Sequence, residues 1–465
     1  MNYQVSQHID NNKVFIVQRS EIEGRLDPKM ALYNRKVQNS LYPKVKLKDV
    51  LVCKPQYGAS EPGVPRSSIK EPRYIRITDI DENGLISHDE LGATAKIIEN
   101  KYILCENDIL IARSGATVGK AYIHKPALYD CFFAGYLIRF IINTDKALPE
   151  YIFTYTQLNA YKEWVNAIQR PSGQPNINSE EYQSLEIPLP NIERQQVIVD
   201  VIKSAYLQKK QKESEAKQLL DNVDAYILNE LGITLPEIKT DLKNRIFKVN
   251  RSELEERLDP TVYKDGIKLI SNNYDNVKLS SVAYVNPTGT FKGKDIETPI
   301  SFIPMESIDE VYSEVSKLED TTIENALGFT KFKEGDLLWA KITPCMQNGK
   351  SAIAKNLTKG LGCGSTEFFV IRNKDERLAI EYLHVILHTK CVRETAMLYF
   401  GGSAGQQRVS SAFLENFNLP LPPKDKQIEI ANHVYTIRQK AKALQEEGKV
   451  LLEEAKRKVE SMIIG

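Results

Sequence analysis

Cysteine is scarce in this chain and scattered. Cys53, Cys105, Cys131, Cys345, Cys363 and Cys391 form no C-x-x-C pair and no tight His/Cys cluster. They read as reduced thiols in cores, not as a disulfide framework or a zinc site. An excess of one charge is missing too: 62 Lys+Arg stand against 61 Asp+Glu, a net charge of +1. Bulk charge therefore cannot coat nucleic acid or membrane, although a local basic surface remains open. There is no apolar run of about 18 residues, the length a membrane helix needs. The opening MNYQVSQHIDNNK lacks the apolar core of a secretory signal. The expectation is a cytoplasmic protein with no membrane partner.

What is present is ordinary globular material. The 465 residues are 42% hydrophobic and 26% charged. At roughly 100–200 residues per domain, that length suits two to four domains.

The chain is written twice. Phe15-x-Val17-x-Arg19-Ser20-Glu21-Ile22-Glu23-x-Arg25-Leu26-Asp27-Pro28 returns from Phe247 to Pro260, with ten identities in fourteen positions and an offset of 232 residues. Ile187-Pro188-Leu189-Pro190 returns as Leu419-Pro420-Leu421-Pro422, Gly173-Gln174 as Gly405-Gln406, and Gln195 as Gln427. Between these anchors the likeness weakens. Tyr74–Asp81 resembles Phe302–Asp309, and Glu106–Arg113 resembles Glu334–Lys341. A shared frame with divergent content predicts two copies of one domain with different recognition surfaces. Arg19, Arg25, Arg251 and Arg257 recur beside Asp27 and Asp259, which suits structural ion pairs.

Short β-type runs fill both copies: Tyr74–Ile80, Asp108–Ala112, Leu137–Ile142, Asp336–Ala340 and Glu367–Ile371. Each copy ends in Pro-Leu-Pro, which bars a helix from running in from upstream. A long helix is predicted beyond each, over about 192–231 and 424–462. Gly232 and Pro236 stop the first. Apolar or small residues step 4-3-4-3 through Ile430, Val434, Ile437, Ala441, Leu444, Gly448, Leu451, Ala455 and Val459, a coiled-coil seam. The first seam reads Ile198, Ile202, Ala205, Lys209, Lys212, Ala216, Leu219, Val223 and Tyr226. Either each helix packs on its own domain, or the two pair as a spacer. At ~55 Å they are longer than a domain of this size needs, which favours the spacer. Its length is of the order of the roughly 34 Å between successive major-groove faces of DNA.

With this order of domain, helix, domain, helix, the chain resembles the specificity (S) subunits of type I restriction-modification systems over essentially its whole length. The motifs are Pro-Leu-Pro, the Gln-containing helix starts (Glu193-Arg194-Gln195 and Asp425-Lys426-Gln427) and the strands at Asp108–Ile111 and Asp336–Leu338. The resemblance implies an α/β (α+β) fold with two pseudo-repeated target recognition domains joined by two long antiparallel coiled-coil helices. The expected divisions are 1–190, 191–235, 236–422 and 423–465. Each head would read one half of a bipartite double-stranded DNA target. The helices, with Ile198, Ile202, Leu219, Val223, Val434, Ile437, Leu444 and Leu451, would dock two modification subunits, and restriction subunits would join. S-adenosylmethionine, ATP and magnesium would sit on those partners, with no cofactor, metal or catalytic residue in this chain.

A self-contained enzyme is the first alternative. No Asn/Asp-Pro-Pro-Tyr/Phe motif of an adenine methyltransferase is present, Asn286-Pro287-Thr288-Gly289 being the nearest. A phosphate loop needs G-x-x-x-x-G-K-[ST]. Gly115–Ala121 is one spacer short, and Pro344 stands where the first glycine before Gly349-Lys350-Ser351 belongs. The second alternative is a two-headed adaptor that binds proteins rather than DNA.

Base and phosphate contacts want Arg, Lys, Gln, Asn and glycine-rich backbone. The leading candidates are Arg170, Ser172, Gly173, Gln174 and Asn176 in the first copy, and Ser403, Gly405, Gln406, Gln407 and Arg408 in the second. Arg113, Ser114 and Lys120 follow, opposite Lys341 and Lys350. Arg73 and Arg76, on a strand, come third.

Overall fold

The computed structural model describes residues 16, 29–31, 33, 40–86, 91–169, 174–235, 248–249, 251, 260–402 and 406–464. The repeated opening motif lies almost wholly outside these residues, and with it the ion pairs expected of Arg19, Arg25 and Arg257. Two compact units form: the first joins two separate segments, and the second is one continuous stretch. The first comprises 1–211 and 447–465, the second 212–446.

Within the first unit, Lys44–Lys46 pairs with Glu186–Pro188 as an antiparallel clasp, Lys44 facing Pro188. The strand before Pro-Leu-Pro thus closes the head on its own beginning. One four-stranded sheet has the order Gln56–Tyr57, Leu137–Phe140, Ile109–Ala112, Ala121–Ile123, and a second the order Gly63–Pro65, Ala93–Ala95, Arg73–Ile75, Cys131–Phe133. All four residues of Ile109–Ala112 are buried, as expected of an apolar run in mid-sheet. The run expected over Tyr74–Ile80 stops at Ile75 and turns into a 3-10 helix at Ile77–Asp79, because the Asp79 carboxylate accepts from the Arg76 amide at 2.8 Å.

The second unit repeats this plan. Asn276–Lys278 pairs with Asn418–Pro420. Its first sheet runs Ala283–Val285, Phe368–Asn373, Leu337–Ala340, Ser351–Ile353. Its second holds the same parallel pair, Pro299–Ile303 beside Leu361–Gly364, matching Arg73–Ile75 beside Cys131–Phe133. The turn before the central strand needs a left-handed residue in both copies. Gly335 takes it with φ 82°, and Asn107 with φ 69°, a conformation asparagine tolerates better than most.

The predicted helices form as α1 (Ile192–Asp221), α2 (Val223–Glu230) and α3 (Lys424–Ile463). A one-residue interruption at Asn222 separates α1 from α2. Gly232, with φ 61°, ends α2. Its amide donates to Asn229 and the Ile233 amide to Leu228, the bond pair of a glycine-terminated helix.

The helices run antiparallel, and each unit shows this by itself. In the first unit, Ile198 and Ile202 share a core with Val459 and Ile463. Further along, a Cβ on Gly448 would lie 3.4 Å from the Lys209 Cα, so glycine lets the two backbones close together. In the second unit, Ala216 and Ala441 are buried together, and Glu230 pairs with Lys426 at 2.6 Å. Each helix also joins the core of a head: Val223, Ile227, Ile430 and Val434 pack with Trp339, Phe413 and Leu419. The two packings set against each other in the sequence therefore coexist. The seam drifts late in α3, where Leu452 is buried and Leu451 only half-buried.

Cys131, Cys363 and Cys391 are buried free thiols, and Cys345 is half-buried. Cys53 and Cys105 are exposed, against the expectation that all line cores.

Candidate nucleic-acid interface

Two candidate segments, far apart in sequence, meet in each head and form what we term its tip. In the first head the Ile177 amide donates to the Arg113 carbonyl at 2.8 Å, and the Gly115 amide to Pro175 at 3.0 Å. Ser114 thereby faces Asn176 across an antiparallel bridge. In the second head the Val409 amide donates to the Lys341 carbonyl at 2.9 Å, and the Thr343 amide to Gln407 at 3.0 Å. Ile342 faces Arg408. These are the same two hydrogen bonds. They align Arg113 with Lys341 and Asn176 with Arg408, as the repeat in the sequence does.

The side chains on this common frame differ. The Arg113 guanidinium lies over the Tyr57 ring, 5.0 Å from its centroid. Tyr57 also fixes the neighbouring helix Ser179–Gln183, its hydroxyl accepting from the Ser179 amide at 3.0 Å. Gln174 and Asn176 are exposed beside this pair. In the second head the Lys341 ammonium lies 5.5 Å from the Phe369 ring centroid. Gln406 and Arg408 are exposed, and Gln407 is half-buried. Arg408 is held by Glu367 through Nε–Oε2 at 2.9 Å and a terminal nitrogen to Oε1 at 2.8 Å. That hydrogen-bonded pair keeps the Glu367 carboxyl below the usual carboxylate range. Tyr57 and Glu367 were missed in the sequence. Neither stands in a repeated motif, and only the fold brings them to the tip.

Other candidates are placed elsewhere. Arg73, expected on a solvated strand face, is instead 1% exposed, its guanidinium packed against Gly92, so it offers no surface. Arg76 is spent on Asp79 in a 2.9 Å ion pair. The Lys120 ammonium donates to the Ile80 carbonyl, and Lys350 to Met305 at 3.2 Å. Both lysines therefore tie the hairpin after the central strand to its own head. Gly119 and Gly349 precede them with the same φ of 86°, which makes these Gly-Lys pairs turns, not phosphate loops. Arg170, Ser172, Gly173, Ser403 and Gly405 lie outside the described residues.

The helix positions expected to dock partners also need correction. Ile198, Ile202, Val223 and Val434 are buried within the units, and Leu219, Ile437, Leu444 and Leu451 are half-buried along the seam. The seam faces the opposite helix and the heads, so a docking protein would have to use the outer faces.

The repeated motifs have structural roles. Gln195 and Gln427 are fully buried. The Gln195 amide donates to Pro190 while its oxygen accepts from Leu148, each at 2.8 Å. Gln427 does the same with Pro422 and Ala379. The buried Asp108 and Asp336 each accept from the backbone of the preceding turn and pair with an arginine of the next strand, Arg139 and Arg372. Among the described residues, no group of three or more His, Cys, Asp or Glu side chains is placed to hold a metal. No described helix is long and apolar enough to cross a membrane.

The family described as the type I restriction modification DNA specificity domain matches residues 70–220 and 271–453. Over 162 residues the chain is 34% identical to the specificity subunit of the type I restriction enzyme EcoEI of Escherichia coli, covering 35% of this chain and 27% of that one. Over 183 residues it is 33% identical to the EcoAI specificity subunit of the same organism, covering 38% and 29%. The matched regions thus span less than a third of either relative. A solved structure concerned with complex assembly and conformational transition of the type I R-M system has a TM-score of 0.51 at 16% identity, covering 90% of this chain and 96% of that one. That likeness concerns the fold. The match takes in part of each copy of the repeat and more than half of the chain, and the chain belongs to the type I restriction modification DNA specificity domain family.

Proposed function

We propose that this chain is the DNA-specifying, non-catalytic subunit of a type I restriction-modification complex. One observation carries the reading. Two heads share a hydrogen-bonded tip, Arg113–Gly115 with Pro175–Ile177 and Lys341–Thr343 with Gln407–Val409, yet present different polar side chains on it. A shared frame with exchanged donors suits two readers of different sequences. Each head reads one half of a bipartite target in double-stranded DNA. The helical pair fixes the spacer and docks two modification subunits, and restriction subunits join that assembly. S-adenosylmethionine, ATP and magnesium belong to those partners.

The net charge of +1 implies that the isolated chain binds DNA weakly and that partners supply much of the phosphate contact. Mapping methylated adenine across the host genome, with and without this gene, tests the reading. The expected result is a bipartite motif that vanishes with the gene. Methyl transfer or cleavage by the purified chain alone would instead identify an enzyme. Binding without sequence preference or salt sensitivity, partners included, would identify a protein adaptor.

A further inference from the structure

The two tips differ most at one pair of positions. The residue whose carbonyl accepts from Arg113 is Tyr136, and the one whose carbonyl accepts from Lys341 is Glu367. The residue bridged to Ser114 is Asn176, and the one bridged to Ile342 is Arg408. The second head therefore carries an acid and a base where the first carries a phenol and an amide.

A carboxylate on a surface that meets a polyanion is repelled unless its charge is matched. Arg408 matches it. Stability alone gives little reason for the pair: the Arg408 side chain is 43% exposed and that of Glu367 22%, and exposed ion pairs contribute little to folding. What the pair does is orient a guanidinium. Its plane is set by two hydrogen bonds to Glu367. A terminal nitrogen also donates to the Gln406 carbonyl at 3.0 Å. A guanidinium has five N–H groups. These contacts use three and leave one on each terminal nitrogen.

We propose that Glu367 is a specificity-determining residue of the second head, holding Arg408 so that its two remaining terminal N–H groups read a guanine in the major groove. Guanine offers O6 and N7 side by side there, and a forked pair of donors matches them. Lysine cannot substitute, because it has no fork. The first head, with Asn176 and Tyr136 at these places, lacks the device, so only one half of the target contains this guanine. The inference rests on the DNA-reading function proposed above and adds which residue pair reads which base.

The experiment is methylated-adenine mapping with the complete complex carrying Glu367→Gln or Arg408→Lys. The first substitution keeps the shape and one acceptor but loses the charged two-point hold. Both variants are expected to relax the same single position in one half-site, lowering discrimination there at least about tenfold. The other half-site and the spacer stay as in the wild type. An unchanged motif in both variants overturns the inference, as does equal loss at both half-sites, the mark of a purely structural pair. If one variant fails to assemble, judged by melting of the complex, the other carries the test. A wild-type complex without any bipartite motif would sink the functional reading itself, which separates that failure from this one.

Discussion

The carboxylate of Glu460 accepts the backbone amide hydrogen of Ala160 at 2.6 Å. A residue near the end of the chain thereby caps the helix Asn159–Ile168 of the first head. The second head has the counterpart: Asp224 accepts from the Lys390 amide at 2.7 Å, at the start of Lys390–Met397. Each head is capped by the long helix that follows the other copy. Glu460→Ala should cost about 1 kcal/mol locally, read as roughly fivefold faster hydrogen exchange over residues 159–168. Glu460→Gln, which keeps an acceptor, should lose less.

Gln427 offers a larger effect. Its oxygen takes the Ala379 amide, and its nitrogen serves Pro422 and Arg377, all at 2.8 Å. Gln427→Ala leaves these groups without a partner at a buried site. A loss of about 2–4 kcal/mol is expected, measured by urea denaturation. Gln427→Glu should be no better, since it removes the donor and buries a charge.

Stability of the second unit should depend on pH through His384. Its Nε2 sits 3.1 Å from the Ser351 hydroxyl, and burial, aided by the Arg438 charge, pushes its pKa from 6.5 down to about 3. The unfolded chain therefore binds a proton that the folded one refuses between these values. The stabilisation is complete above pH 6.5 and falls as the pH drops toward 3. The slope is about 1.4 kcal/mol per pH unit, so roughly 2 kcal/mol goes between about pH 6.5 and 5. Denaturation at both pH values, compared with His384→Asn, checks this. The variant should show a visibly shallower slope.

Arg113 should matter to one half-site only. Its charge rests on the Tyr57 ring, so it would meet DNA without the neutralisation that Arg408 carries. In the assembled complex, Arg113→Gln should weaken binding about tenfold and lower the salt slope by about one contact. Titration of binding against salt measures both. Weakening that ignores changes in the first half-site would show that Arg113 touches phosphate alone.

The frame was more legible than the surface. Repetition at a fixed offset announced two heads, because Ile187–Pro188 and Leu419–Pro420 occupy the same place in equivalent strand pairs. Proline and glycine marked the helix ends for local backbone reasons. The tip resisted in part. Gln174, Asn176, Gln406 and Arg408 could be chosen by residue type, but Tyr57 comes from a distant strand and Glu367 from the turn before one, with no local signature. Arg73 misled because a charged residue in a short strand looks solvated until what packs on that face, here Gly92, is known. The helix seam was found by its spacing. Its pairing role was read with it, but Ile198, Ile202, Val223 and Val434, expected also to dock partners, are buried within the units.

The first unit is finished only by residues 447–465. Val459 and Ile463 lie in its core, and the Leu41 amide donates to the Ile463 carbonyl at 3.2 Å. During synthesis, the first head emerges long before the segment that completes it. Its apolar base stays open while more than two hundred further residues are made, and the second unit can close before the first. A ribosome that stops just after residue 446 would release the second unit whole and the first head uncapped.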